Sequence, residues 1–318
     1  MSAYAQALEN DRRLLWGLCY RMTGNAADAD DLVQETFVRA IEKPPRSTAQ
    51  PLRPWLVRVA MNLSRDFLRR RKRSGYVGPW LPSPIPTDEE SPASYEPPAP
   101  TEESPVARYD LKESISFAFL LALEALTPSQ RAVLLLRDVM DYSTGDTAEA
   151  LDMTDANVKV VLLRARRRMK EYDKTRAPVS LERREATRRA LEQFLLYLGN
   201  RDAAGLERLL ADDVISLSDG GGEVPAARQP IRGRDKVLRL ILGLAKKSLV
   251  EPRFSVRMFN GLPAILVEDV RSIAGSATRY TIHFEVNEQG KIRELHAVVA
   301  PGKLSAVGEA VTCTPSLC

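Results

Sequence analysis

Apolar residues return every three or four positions over residues 4 to 22 and again over 28 to 42, the recurrence of helices with one buried face. In the second stretch Leu32, Val33, Thr36, Phe37, Ala40 and Ile41 fall on a single side. Thr23-Gly24-Asn25 separates the two predicted helices, and Pro44-Pro45 ends the second. From Pro51 a third helix is predicted, with Trp55, Leu56, Val59, Ala60, Leu63 and Phe67 on its apolar stripe and a basic opposite side. The rhythm then fails. Residues 75 to 107 are rich in Pro, Ser and Glu, a composition that cannot bury a core, and they read as an extended linker.

Helical periodicity resumes from Val106 to Tyr172, with room for four helices. Thr127 is a cap followed by Pro128 in the first turn, and Ser143 to Leu151, a short turn at Asp152-Met153 and a helix capped by Thr154 have helix-turn-helix spacing. After Pro178 the pattern becomes α+β. A helix over Leu181 to Leu198 and a short one over Ala203 to Leu210 precede a strand-like VISLSD and the turn Gly220-Gly221-Gly222. A helix from Asp235 to Lys247 leads into alternating runs near Arg253 to Phe259, Ala264 to Arg271, Ala277 to Asn287 and Lys291 to Val299, with hairpin turns expected at Asn260-Gly261 and Gln289-Gly290.

Charge sharpens this division of the 318 residues. The net charge of +4 splits into +6 over residues 1 to 74, −6 over 75 to 107, +1 over 108 to 178 and +3 over the rest. A basic module is thus followed by a linker with no positive side chain. Cys19, Cys313 and Cys318 have neither metal-ligand spacing nor an even number for a disulfide framework, which favours a reduced, cytoplasmic protein. The start of the chain lacks a secretory pattern, and no apolar run reaches a membrane-spanning length, so no membrane partner is expected.

The first and third segments together resemble bacterial RNA polymerase sigma factors of the extracytoplasmic-function group. Asp28, Asp31 and Glu35 lie three and four apart and form an acidic stripe beside Gln34. The charged face alone fits a solvated helix side. The resemblance implies that DADDLVQETF, with Phe37 as an apolar anchor, docks the clamp helices of core RNA polymerase. It also implies that Arg58, Asn62, Arg65, Arg69 and Arg70 capture the melted -10 element: cations neutralise phosphate and an amide reads a base edge. Thr154, Asn157, Lys159, Arg164 and Arg167 sit on the expected recognition helix for the -35 element. Two departures stand out there: Val160-Val161 replaces a common Ser-Arg pair, and Gly145 lies inside the preceding helix.

Further along, Asp219-Gly220-Gly221-Gly222 and Pro230-Ile231-Arg232-Gly233 resemble the DGGG and P-I-x-G stretches of the sigma-J-like subgroup, whose members carry an NTF2-like, or SnoaL-like, extension. Trp80-Leu81-Pro82 matches the linker motif of that subgroup, and Ala300 to Leu304 its late x-P-x-K-L stretch. Glu223 and Gly302 replace a common Lys and a common Asp. The expected fold is therefore multidomain: two all-α sigma domains over 1-74 and 108-177, the second a helix-turn-helix, a linker over 75-107, an α+β NTF2-like cone over 178-304, and a tail over 305-318. The glycine loop is expected to dock Trp80, Leu81 and Pro82, an intramolecular contact that would couple the cone to the spacing of the DNA-binding modules.

The implied function is promoter-specific initiation with core RNA polymerase and promoter DNA as partners, regulated in cis by the cone. A one-component regulator with a ligand-sensing cone is the alternative, disfavoured by the acidic docking motif. An enzyme is disfavoured because His283 and His296 are the sole histidines and no nucleophile triad, metal cluster or phosphate loop is visible, so no cofactor or metal is expected. A small ligand for the cone remains open.

Overall fold

The computed structural model describes residues 3–44, 52–87, 108–176, 179–247, 252–268 and 277–308. Helices α1 (Ala3–Thr23), α2 (Ala26–Glu42) and α3 (Leu52–Ser74) pack on one another as the amino-terminal bundle. The chain turns between α1 and α2 at Gly24, whose φ of +67° is open to glycine at little cost, and Asn25 caps α2 through its side-chain oxygen. After the linker come α4 (Phe117–Leu123), α5 (Pro128–Leu134), α6 (Thr144–Leu151), α7 (Asp155–Arg168) and α8 (Lys170–Thr175). Thr127 and Ser143 form capping boxes with Gln130 and Asp146, and Thr154 caps α7, so the caps expected at Thr127 and Thr154 are present and Ser143 adds a third. Leu135–Val139 continue α5 as one widened π turn.

The two helical modules are not held apart, as the linker composition had suggested. Their buried residues form one continuous core running from Leu8 to Met169, with α3 lying against α5 and α6. Buried arginines fasten this junction. Arg21, fully buried, donates to Ser114 Oγ at 2.7 Å and to the carbonyls of Gly17 and Leu111, while Arg131 donates to the carbonyls of Met22 and Leu123 and pairs with Glu124. Each carries its charge into the core by hydrogen bonding to oxygens across the seam.

The carboxy-terminal unit opens with α9 (Leu181–Gly199) and α10 (Ala203–Leu209). Strands β1 (Leu210–Asp219), β2 (Ile231–Arg232), β3 (Arg253–Phe259), β4 (Leu262–Glu268), β5 (Arg279–Val286) and β6 (Ile292–Val298) build one sheet, with α11 (Arg234–Lys247) entering between β2 and β3. The order is β2-β1-β6-β5-β4-β3, antiparallel except for the parallel pair β1 and β6. This is the α+β class read from the alternation. Strand β5 runs from Arg279 to Val286, inside the predicted Ala277 to Asn287, and the predicted continuation of β4 to Arg271 falls among residues 269–276, outside the described set.

One face of the sheet packs on its own helices through Phe194, Leu206, Val237 and Phe284. The other face is covered by foreign elements: Leu81 from the linker, Phe117 from α4, and Leu304 and Val307 from the segment after β6. Pro86 also bridges to Phe259 at the sheet edge. The linker is therefore a tether only in part. Leu81 and Ile85 are fully buried, contributing about 1.5–3 kcal/mol each by area, and Ser83 is buried between them. The acidic portion, residues 88–107, lies outside the described residues, as do Cys313 and Cys318.

Candidate nucleic-acid and polymerase interfaces

The acidic stripe is divided by burial. Asp31, Gln34 and Glu35 are exposed on α2, with Glu35 paired to Arg39 at 2.9 Å. Asp28, in the first turn, is partly buried, and burial pushes its carboxyl up to about 6 against the opposing pull of Arg71 and Lys303. Phe37 points inward, 9% exposed, with the Arg12 guanidinium 4.9 Å from its ring centre, so it anchors α2 to its own core and not to a partner. Ile41, expected on the buried side, is 67% exposed, and Val38 is 46% exposed. Both continue the face of Asp31, Gln34 and Glu35, one and two turns on. The repeat of 3.6 had left Ile41 at the border of the stripe, and the nearby end of α2 leaves nothing to cover it.

The -10 residues are divided too. Arg69 and Arg70 are exposed, Arg69 pairing with Asp66 at 2.6 Å. Arg58, Asn62 and Arg65 face the second helical module. Arg65 donates to Asn62 Oδ1 at 3.1 Å, to the Leu151 carbonyl at 3.1 Å and to Ser129 Oγ at 3.3 Å, while Arg58 lies 3.8 Å from Asp152. Burial lowers the Arg65 pKa, and its Nε is enclosed without a hydrogen-bond partner. The ends of α5 and α6 thus engage groups expected from the sequence to serve the -10 element. On α7 the situation is the reverse: Thr154, Asn157, Lys159, Arg164 and Arg167 are all exposed, whereas Val158, Leu162 and Ala165 are buried against the rest of the module.

A third constellation joins all the modules. The Asp219 carboxylate at the end of β1 is fully buried. One oxygen accepts from the Leu81 backbone N–H at 2.7 Å and from Lys303 Nζ at 2.6 Å. The other oxygen accepts from the Tyr76 hydroxyl at 2.6 Å and the Gly221 N–H at 2.9 Å. Lys303 also donates to the Leu81 carbonyl, and its ammonium stands 4.5 Å from the centre of the Trp80 ring. Burial draws Lys303 down to about 8, resisted by Asp219, so it remains protonated at neutral pH. Trp80 lies against Gly24, where a methyl group would collide with the ring, and beneath the Arg71 guanidinium at 4.8 Å. Gly221 and Gly222, at φ of +60° and +81°, turn the loop so that it passes Tyr76 and Val77; Gly220 is packed on Val224, and Pro82 is buried beside Leu81.

Sequence reasoning grouped Trp80 to Pro82 with Asp219 to Gly222, but not Tyr76, Asn260 or Lys303. Asn260 Nδ2 donates to Tyr20 Oη and to the Ile115 carbonyl, both at 2.7 Å, and its Oδ1 accepts from Ile85 N–H at 2.9 Å. One side chain of the β3–β4 turn therefore touches α1, the linker and the entry to α4. Asn-Gly signalled the turn, but no local pattern signals what the amide meets. Glu223 and Gly302, the two departures from the subgroup, face each other: the Gly302 N–H lies 3.4 Å from Glu223 Oε2. His283 and His296 are cross-strand partners beneath Phe117, whose ring stacks on His283 at 4.0 Å. His283 Nε2 lies 3.0 Å from Thr281 Oγ1 and His296 Nε2 3.0 Å from Glu294, as befits structural polar residues in a packed interface. A cavity of about 270 Å³ opens between α3, the linker and α5, lined by Arg71, Tyr76, Trp80, Glu124 and Arg131 among others.

Two family models match the chain. Residues 8–74 match Sigma-70 region 2, and residues 116–169 match Sigma-70, region 4. Among curated proteins of Mycobacterium tuberculosis, the ECF RNA polymerase sigma factor SigJ is 29% identical over 307 residues, spanning 92% of this chain and 91% of its own. The ECF RNA polymerase sigma factor SigL is 32% identical over 148 residues, 46% of this chain and 75% of that protein. The crystal structure of the M. tuberculosis extracytoplasmic function sigma factor SigJ superimposes with a TM-score of 0.71 at 25% identity, covering 95% of this chain and 98% of the other.

Proposed function

Given that this chain belongs to the extracytoplasmic-function RNA polymerase sigma factors, a family that binds core RNA polymerase and promoter DNA to start transcription at selected promoters, we propose that its carboxy-terminal domain regulates that activity in cis by holding the two sigma modules closed. In this reading Asp31, Gln34 and Glu35 meet the polymerase clamp helices, with Val38 and Ile41 supplying the apolar contact that Phe37 does not. Asp28 joins them once released from Arg71 and Lys303. Arg58, Asn62, Arg65, Arg69 and Arg70 serve the -10 element, and Thr154, Asn157, Lys159, Arg164 and Arg167 the -35 element. The sigma family acts as a transcription regulator, with the chemistry of RNA synthesis belonging to the polymerase, and its place of work is the cytoplasm. Among the described residues no helix is long and apolar enough to cross a membrane.

The observation that carries the regulatory reading is the engagement of Arg65 by Leu151 and Ser129 in the same structure in which Asp219 and Lys303 clasp the linker. With α3 against α6, Arg58, Asn62 and Arg65 are spent on the neighbouring module and on each other, while Arg69 and Arg70 stay exposed. Opening costs the clasp, and binding to polymerase and DNA would supply the compensating contacts. The match to region 2 speaks against a one-component regulator, which has no need of a polymerase-docking module. The test is run-off transcription with purified core polymerase, comparing the native chain with Asp219→Asn. The loosened variant should initiate at lower concentration from the same promoters. Equal or weaker initiation by a variant shown to be opened would mean that the closed form does not restrain the sigma modules.

A further inference from the structure

Val160 and Leu163 are 46% and 52% exposed on a helix whose other large apolar residues are packed inward. At 3.6 residues per turn, Ala156, Asn157, Val160, Leu163, Arg164 and Arg167 fall within about a third of the circumference of α7, with Val160 near the centre. The face is therefore an apolar strip bordered by an amide at its amino-terminal end and by guanidinium groups at its carboxy-terminal end. Lys159, and Lys170 at the start of α8, stand exposed on the Leu163 side of it. These cations beside the strip fit a polyanion, and the apolar feature that duplex DNA offers in its major groove is the thymine C5-methyl group.

We propose that Val160 and Leu163 form a reader of thymine methyl groups, so that the recognition helix of this chain selects its -35 element by apolar contact as well as by hydrogen bonding. The inference rests on the assignment of α7 to the -35 element and adds to it the base chemistry that is recognised. Asn157, one turn before Val160, is placed to pair with an adenine edge, whose N7 and N6 present the acceptor and donor that a carboxamide matches. Arg164 and Arg167, one turn after Val160 and Leu163, neutralise phosphates on the groove wall. The pairing of an amide with an adjacent apolar strip gives the element adenine and thymine in neighbouring positions. At Val160 the same geometry exchanges one hydrogen-bonding group of related chains for apolar area, which discriminates thymine from cytosine by the methyl group, whereas Val161 packs against the core.

Holoenzyme assembled from core polymerase and the full chain is used to select duplexes from a library randomised across the -35 region. Each thymine of the selected element is then replaced singly by deoxyuridine, which removes only the C5-methyl group. With the native chain, at least one replacement should weaken binding about fourfold, the worth of one buried methyl group. With Val160→Ala or Leu163→Ala, both exposed substitutions that leave the core intact, that penalty should disappear. Deoxyuridine tolerated at every position, or an equal penalty in native and variant holoenzymes, overturns the methyl reader while leaving -35 recognition standing. Reduced affinity of Val160→Ala for core polymerase, with the methyl penalty retained, would assign the strip to a protein contact and overturn it too. Selection of no -35 element at all would remove the underlying reading, and the proposal with it.

Discussion

Asp219 joins the linker, the glycine loop and the segment after β6, because its two buried oxygens are shared among Tyr76, Leu81, Gly221 and Lys303 with no access to water. Replacing it by Asn leaves the Lys303 ammonium buried without its counter-charge, a change worth about 3–5 kcal/mol. A fall in the thermal midpoint and a red shift of Trp80 fluorescence should accompany it, and an unaltered midpoint would mean that the carboxylate contributes nothing to closure. His283 makes a prediction for pH. Burial, followed by the neighbouring His296, holds its pKa well below 6.5 in the folded chain; Thr281, Phe117 and Phe259 also face it, and the Glu294 carboxylate is hydrogen-bonded to His296. The unfolded chain therefore takes up a proton below about pH 6.5 that the folded chain refuses, so stability falls with acidification by up to about 1.4 kcal/mol per pH unit. Denaturant titrations at pH 7 and pH 5 should show this loss, and His283→Phe should reduce it. Neither histidine announced this setting in the sequence. Their positions on neighbouring alternating strands were readable, but the ring that covers them comes from Phe117, 166 residues before His283, and non-local pairing leaves no trace in local pattern.

At the level of elements, what was legible had a local cause. The caps Thr127 and Thr154, the turns at Gly24 and Asn260, and the stripes of α3 and, apart from Ile41, of α2 follow from side-chain hydrogen bonding and a 3.6-residue repeat, both written within a few residues. The parallel neighbour relation of β1 and β6 was not legible, since alternation specifies a strand's faces and not its partners. Trp80, Leu81 and Pro82 were expected to dock and do, but residues 83 to 86 misled, because proline density marks an extended chain correctly and says nothing about burial; Ile85 was the signal that this stretch too lies between surfaces. Helix α6 offers a check on local reasoning. Gly145 sits in its first turn with an ordinary helical backbone, and a methyl group there would meet nothing closer than Ser143 Oγ at 3.8 Å. Gly145→Ala should therefore stabilise the chain by about 0.4–1 kcal/mol, measured by urea denaturation. Destabilisation would show that the glycine serves a conformation other than this helix. Gly24→Ala should do the opposite, because the residue combines a positive φ with a Trp80 ring where its methyl group would be.

Across the whole molecule, the helical modules share one core, whereas the sheet domain meets them through a separate cluster containing Leu81, Phe117 and Phe259. Calorimetry should accordingly find residues 3 to 176 melting in one cooperative step, and two resolved helical transitions would contradict a common core. Small-angle scattering gives the complementary measurement: the native chain should be compact in isolation, and Asp219→Asn should enlarge its radius of gyration as α3 parts from α6. The order of these parts along the chain also sets a schedule. Lys303 is 229 residues downstream of Ser74, so a ribosome elongating at roughly 5–20 residues per second completes the bundle of α1 to α3 about 10–50 s before the lysine that fastens it is made. During that interval the nascent protein carries the proposed -10 surface, and later the proposed -35 helix, without their fastening, and each newly made molecule passes through an unlatched youth that a mature one regains only by opening.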